Sequence, residues 1–138
     1  MSGSIDVTWY FCFIEGCRST FWSKLTRRDF SHVVIFAQTG ITCTSIEALK
    51  TGVIVSNHDT GEGLSSEDLA QVFLNAGFKV VRHTYPVYDD RSVMHLGNLW
   101  PSCVSLAKII TGYRSWALTP YQLYRSLLLD GATEIKKV

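Results

Sequence analysis

Cys103 is the residue of this sequence whose position best suits nucleophilic chemistry. It falls in the first turn of a predicted helix, directly after Leu99-Trp-Pro-Ser. Unpaired backbone amides and the positive end of the helix dipole meet there, and both favour a thiolate. The alternative is structural, because Leu106, Ala107 and Ile110 share a helix face with Cys103, and a small buried side chain would also suit that face.

A cysteine nucleophile needs a base, and His32 is the histidine that the predicted elements hold most rigidly. It opens the predicted strand Val33-Val-Ile-Phe-Ala. The other three histidines, His58, His83 and His95, are predicted in or near loops or at a sheet edge, without a fixed frame. His32 is therefore the candidate base.

Glu47 is the candidate partner of His32 across a predicted hairpin. If Thr39-Gly40 is a two-residue loop, Phe36 faces Cys43 and His32 directly faces Glu47. Facing side chains lie close enough for Glu47 to accept the Nδ1 proton and fix the tautomer of the ring. A slip of one residue would instead send Glu47 to the other face, leaving an ordinary exposed charge pair.

The elements that would position these residues include both strand and helix patterns. Strands are predicted at residues 7–14, 30–37, 41–49, 52–56 and 78–88, and an irregular loop at 57–63. Capping signals predict helices from Ser65 or Ser66 to Gly77, from residues 101–103 to Gly112, and from Thr119 to Gly131. The apolar stripe of the first helix is Leu69, Val72, Phe73 and Ala76. Strands followed by segregated helices predict an α+β fold with a mostly antiparallel sheet and about three helices.

Length and composition limit the chain to one domain, residues 1–138. Its 138 residues are 46% hydrophobic and carry a net charge of +1, so a packed core is expected and nucleic acid is not an expected partner. The alternative is a nucleic-acid binder that uses the basic and aromatic stretch from Arg18 to Arg28. No apolar run approaches the roughly 20 residues of a membrane helix, and no signal peptide pattern opens the sequence. We therefore expect a cytosolic protein with reduced thiols and no membrane span.

Two segments carry a family resemblance. They are Phe30-Ser-His-Val-Val-Ile-Phe and, later in the chain, Trp100-Pro-Ser-Cys-Val-Ser-Leu-Ala-Lys. Together they resemble the circularly permuted NlpC-type papain-like cysteine hydrolases, a group that includes the lecithin retinol acyltransferase relatives. The run Leu118-Thr-Pro-Tyr-Gln-Leu-Tyr-Arg-Ser-Leu, with the cysteine segment before it, is similar to small proteins of tailed bacteriophages.

The resemblance implies a permuted papain-like architecture and a site of Cys103, His32 and Glu47. In that group the histidine strand precedes the cysteine helix, and a third polar residue follows on the next strand. The implied activity is that of a cysteine hydrolase acting on peptides, amides or acyl groups, in the host cytoplasm or on the virion, with no cofactor and no metal. The backbone amide of Cys103 would meet the oxyanion. The second donor is open among Trp9, Trp22, Gln38 and Asn98.

Two alternatives remain open at this stage. The first is a non-catalytic phage virion or host-interaction protein on the same fold, since the aromatic residues near both termini suit a subunit interface and a homo-oligomer. These are Trp9, Tyr10, Phe11, Trp116, Tyr121 and Tyr124. The second is a zinc site of Cys12 and Cys17 with His83 or His95, although Cys12 in an apolar strand is better interpreted as a core residue.

Overall fold

The computed structural model describes residues 3–14, 30, 32–49, 52–59, 65–88 and 103–138. This part of the chain is an α+β fold of three helices and one six-stranded sheet in which all paired strands are antiparallel, which confirms the predicted class. The helices are α1 (Ser66–Asn75), α2 (Cys103–Thr111) and α3 (Pro120–Leu129). The strands are β1 (Ser4–Ile14), β2 (His32–Thr39), β3 (Thr42–Leu49), β4 (Gly52–Asp59), β5 (Lys79–Tyr88) and β6 (Thr133–Ile135), in the order β4-β3-β2-β1-β5-β6.

Local capping chemistry explains where α1 and α3 begin. Ser65 accepts the backbone N–H of Asp68, and the Asp68 carboxylate accepts the backbone N–H of Ser65. Thr119 and Gln122 form the same reciprocal box before α3, with Pro120 at its first position. All three predicted helices are confirmed in position. No helix in the described part of the chain is long and apolar enough to cross a bilayer.

Alternate side chains of the central strands form one apolar cluster on each face of the sheet. The α2–α3 cluster contains Phe11, Phe13, Val33, Ile35, Val81, Val104, Leu123 and Leu127. The α1 cluster contains Tyr10, Cys12, Val34, Phe36, Cys43, Leu69 and Val80. In the α1 cluster the Phe36 ring stacks 4.5 Å from that of Tyr10 and 5.4 Å from that of Phe73. Both faces of the central sheet are therefore covered.

The extended segment 112–118, between α2 and α3, is held against α2 by a buried lysine. The Lys108 side chain is 2% exposed, and its Nζ donates to the carbonyl oxygens of Ser115 at 3.0 Å and Ala117 at 2.7 Å. Burial lowers the pKa of Lys108. The two carbonyl oxygens replace water around the amine, so the segment is fixed by main-chain atoms.

Three expectations about individual elements are wrong. Residues 57–59 were expected in a loop, yet they continue β4 and pair with residues 42–44 of β3, because cross-strand pairing overrides local turn propensity. Strand β6 was not predicted; it adds to β5 opposite residues 80–82. On α1 the stripe is displaced, since Val72 is exposed and Ala70 is buried.

Candidate functional site

The β2–β3 hairpin turns one residue later than predicted. Its loop is Gly40-Ile41, Thr39 pairs with Thr42, and Val34 rather than His32 faces Glu47. Gly40 has φ of 64°, which fits the first central position of a type II′ turn and explains the shift. The partner of Glu47 thereby moves by two residues, and side chains two residues apart on a strand share a face. Glu47 consequently stays on the same face as His32, as its diagonal neighbour.

His32 and Glu47 are in direct contact across the hairpin. His32 Nε2 lies 2.7 Å from Glu47 Oε1, and the two side chains are 18% and 35% exposed. The carboxylate accepts the N–H of the ring. The expectation that Glu47 binds Nδ1 is wrong, because the diagonal approach brings the outer nitrogen of the ring to the carboxylate. Nδ1 is left to face other groups.

Cys103 is the first residue of α2, and it lies close enough to His32 to act on the electrostatics of the ring. The pKa of His32 is raised, first by the hydrogen bond with Cys103 and then by the Glu47 carboxylate, against the opposing effect of burial. His32, the first residue of β2, is the residue that both Glu47 and Cys103 approach. The structure thus brings together all three residues that the sequence singled out.

The start of α2 provides a setting suited to negative charge on Cys103. The first-turn amides of a nine-residue helix have no intrahelical acceptor, and no acidic residue occupies the first turn of α2. Cys103 is half-buried beside the α2–α3 cluster, so its sulfur is neither sealed nor fully hydrated. A thiolate formed here would face the helix amides and an imidazole that carries the proton readily.

Two other cysteines occupy a contrasting environment. Cys12 and Cys43 are both buried in the α1 cluster, and burial raises the pKa of each thiol. Such thiols are core side chains with little thiolate. Cys12 lies on the face of the sheet opposite to His83, so these two cannot share a zinc ion. Cys17 and His95 lie outside the described residues, and no group of three or more possible ligands occurs within them.

His83 and His58 are held in strands, contrary to the expectation that they lack a fixed frame. His83, on β5, donates from Nε2 to Asp130 Oδ2 at 2.8 Å. His58, on β4, has Nε2 3.0 Å from the Ser45 hydroxyl. The sequence carries no local signal for the His83 pair, because its members are 47 residues apart.

Two of the four proposed oxyanion donors lie away from the site. Gln38 is at the other end of β2, about 20 Å from His32 at the usual rise per residue. There it accepts from the backbone N–H of Ser66. Trp9, on β1, faces His83 of β5. Trp22, Asn98 and the basic stretch from Arg18 to Arg28 lie outside the described residues, which leaves the Cys103 amide as the described candidate.

The aromatic residues near the termini divide between core and surface. Tyr10 and Phe11 are buried on opposite faces of β1, while Tyr121 and Tyr124 pack against Phe30 in the α2–α3 cluster. Trp116 is exposed on the outer side of segment 112–118. Most of this set therefore serves the core rather than a subunit interface.

Comparison with known proteins gives no significant match among protein-family models, curated proteins or solved structures. The chemistry of the site has to be argued from its own geometry.

Proposed function

We propose that this protein is a cysteine hydrolase of the amidase/peptidase or acyl-transfer type. Cys103 is the nucleophile, His32 the general base and acid, and Glu47 the residue that orients His32. The contact of the thiol with an imidazole that is itself bound to a carboxylate supports this assignment. Nucleophile, base and orienting group in mutual reach are the common requirement of covalent acyl transfer.

The arrangement suits a two-step reaction through a thioester. Nδ1 of His32 takes the proton of Cys103, and the sulfur attacks the substrate carbonyl carbon. His32 then gives that proton to the leaving nitrogen or oxygen as its bond to carbon breaks. In the second step His32 deprotonates water, the hydroxide adds to the acyl carbon, the carbon–sulfur bond breaks, and His32 returns the proton to the leaving sulfur, which restores the thiol. Glu47 holds Nε2 throughout and stabilises the imidazolium.

The order of the elements supports a permuted papain-like frame of the NlpC type. The histidine strand β2 precedes the cysteine helix α2, and α2 contacts both β2 and the strand that carries Glu47. With the resemblance of its cysteine segment to tailed-phage proteins, we assign the chain to a bacteriophage, acting in the host cytoplasm or on the virion on peptide, amide or acyl substrates.

The pH dependence of iodoacetamide alkylation at Cys103 tests the proposal. In the wild type we expect alkylation to persist well below about pH 8.5, where an ordinary thiol is protonated. His32→Ala should slow it about tenfold or more near neutral pH, because the imidazole no longer accepts the proton. His83→Ala removes the other carboxylate-bound histidine and should leave the rate unchanged. Mass spectrometry of the peptides identifies the cysteine that reacts, with buried Cys12 and Cys43 as internal controls.

Two outcomes would contradict a catalytic site. One is a Cys103 that reacts no faster than Cys12 and Cys43. The other is a reactive Cys103 whose pH profile is the same in the wild type and in His32→Ala. Either result would leave the second candidate, a non-catalytic phage virion or host-interaction protein. The exposed apolar side chains of β4, Val53, Ile54 and Val55, favour that role.

A further inference from the structure

The outer edge of β4 carries three consecutive exposed apolar side chains. All eight residues of β4 pair with β3, and no described strand pairs with its other edge. Val53, Ile54 and Val55 are 53%, 45% and 59% exposed although they are consecutive and so point to both faces. Within the described residues, the edge therefore offers main-chain donors and acceptors that no strand pairs, flanked by apolar side chains.

This edge lacks the devices that keep sheet edges from pairing. From Gly52 to Asn57 there is no charged residue and no proline, and the register with β3 is unbroken, without a bulge. The opposite edge of the sheet differs, because β6 has only three residues and is followed by Lys136 and Lys137. One edge is protected by its shortness and its charges, and the other is open.

We propose that β4 pairs with β4 of a second copy of this chain, as an antiparallel two-fold dimer with one continuous sheet. A two-fold axis at Ile54 sets Ile54 against its counterpart, and Val53 against Val55 of the partner subunit. All exposed apolar side chains of both strands then meet one another. The same neutral, apolar residues lie on both sides, so the edge complements itself without charge repulsion.

The structure favours a second copy over a foreign strand or an open chain of copies. The segment of β4 from Gly52 to Asn57 carries no charge, so it offers nothing for a charged partner to recognise. Head-to-tail pairing of β4 with β6 could use only three residue pairs, so growth into a filament is disfavoured and a closed dimer is left. The contact is a single pair of strands, which places it at the low end of specific interface sizes, and we expect a reversible dimer.

Dimerisation would also arrange the two candidate sites. Glu47 faces Ile54 across β3 and β4, and a two-fold axis perpendicular to the sheet keeps both His32–Glu47 pairs on the same face of the continuous sheet. Measured across the strands, five strand spacings or about 24 Å then separate the two His32 residues, which are also displaced in opposite directions along the strands. The inference does not depend on the proposed hydrolase activity, since it rests on the edge alone.

Sedimentation velocity of the full chain across the micromolar range tests the proposal. The wild type should shift from monomer to dimer mass with concentration. Ile54→Lys and Val55→Lys should each weaken association about tenfold or more, because Ile54→Lys sets two like charges opposite each other at the axis and Val55→Lys sets a charge against an apolar valine. Val72→Lys, at an equally exposed apolar position on α1, is the matched control and should dimerise as the wild type does. Circular dichroism checks that each variant is folded.

Hydrogen exchange of the wild type gives a readout that needs no variant. Backbone amides of β4 should become protected as concentration rises, while those of β6 should not change. A chain that stays monomeric throughout would overturn the proposal, as would a dimer that survives both lysine variants or that Val72→Lys also disrupts. Protection of β4 in a monomeric chain only when a synthetic peptide of residues 50–60 is added would likewise overturn it in favour of strand capture from another source.

Discussion

His32–Glu47 and His83–Asp130 are two imidazole–carboxylate pairs with nearly the same geometry and different surroundings. The nitrogen–oxygen distances are 2.7 Å and 2.8 Å, and Nε2 is the donor in both. In the first pair both partners are partly exposed. In the second the His83 side chain is 7% exposed and that of Asp130 is 60% exposed. The bond itself therefore does not distinguish a reactive site from a structural contact.

The neighbours of the two rings make the difference. His32 has the Cys103 thiol beside it at the start of a helix. His83 has aromatic rings instead, with that of Tyr85 at 5.1 Å and that of Tyr113 at 5.7 Å. Only His32 can pass a proton to a nucleophile, whereas His83 joins β5 to the end of α3. A carboxylate orients an imidazole in both places, and the third group decides what the imidazole does.

The largest effect that would sharpen this contrast is on covalent acylation. We expect Cys103→Ser to lower the rate of acylation by an activated ester such as p-nitrophenyl acetate by about 10³-fold or more, since the protein loses its thiolate. The His83–Asp130 pair should not sustain the reaction, because aromatic rings and no thiol lie beside His83 among the described residues. Stopped-flow release of p-nitrophenol measures the rate. Residual acylation at the wild-type rate would show that the reactive group lies elsewhere.

The next effect is on stability and is expected at the other histidine. His83→Ala should lower the free energy of unfolding by about 2 kcal/mol, because it leaves a cavity beside two tyrosine rings and removes a hydrogen bond. His32→Ala, at the end of the sheet, should cost less than about 1 kcal/mol. Urea denaturation followed by circular dichroism measures both. If His32→Ala proved the more costly variant, the contrast between a reactive and a structural histidine would fail.

A smaller effect should separate the two carboxylates. Glu47→Gln keeps the size of the side chain but removes the charge that stabilises a protonated ring, so Cys103 alkylation at neutral pH should slow about three- to tenfold. Asp130→Asn is the matched change at the other pair and should leave alkylation unchanged. Equal rates in Glu47→Gln and the wild type would reduce Glu47 to a surface contact.

The smallest effect is the pH dependence that His32 gives to stability. Its pKa is raised in the folded protein, first by Cys103, so the folded state binds the proton more tightly than the unfolded state. This contribution is present in full below about pH 6.5, the unfolded value, and is lost as pH rises through the folded pKa. The difference in unfolding free energy between the wild type and His32→Gln should therefore shrink with rising pH.

The Cys103→Ala background provides the control for this pH dependence. Without the thiol, the largest cause of the raised pKa of His32 is gone, and the pH-dependent part of the difference should become smaller. A difference that grew with rising pH would contradict the assigned sign of the shift. Urea titrations at several pH values, with and without the thiol, supply the comparison.

The sequence predicted best what local chemistry decides. The boxes of Ser65 with Asp68 and of Thr119 with Gln122 lie within four residues, so the helix starts could be read without knowledge of the fold. Strand β6 and the last residues of β4 depend on distant partners and were missed. The turn at Gly40 shows the limit most clearly, because one residue of error changed every facing pair of the hairpin.

The candidate site could be predicted because its contacts tolerate that error. The residue facing Glu47 is two positions from the predicted one, so Glu47 lies on the predicted face of the sheet and contacts His32 as predicted. The nitrogen that it binds is Nε2 instead of the predicted Nδ1. The position of Cys103 in the first turn of α2 could be predicted because the start of that helix could be predicted. The pair of His83 and Asp130 escaped prediction, since nothing near either residue in the sequence indicates the other.

The burial of Lys108 gives the chain an internal reporter of local opening. Because its amine is enclosed by the carbonyl oxygens of Ser115 and Ala117, an amine-acylating reagent can reach it only when segment 112–118 detaches from α2. The labelling rate at Lys108, compared with that at exposed Lys137, would measure how often segment 112–118 opens locally while the rest of the domain stays folded.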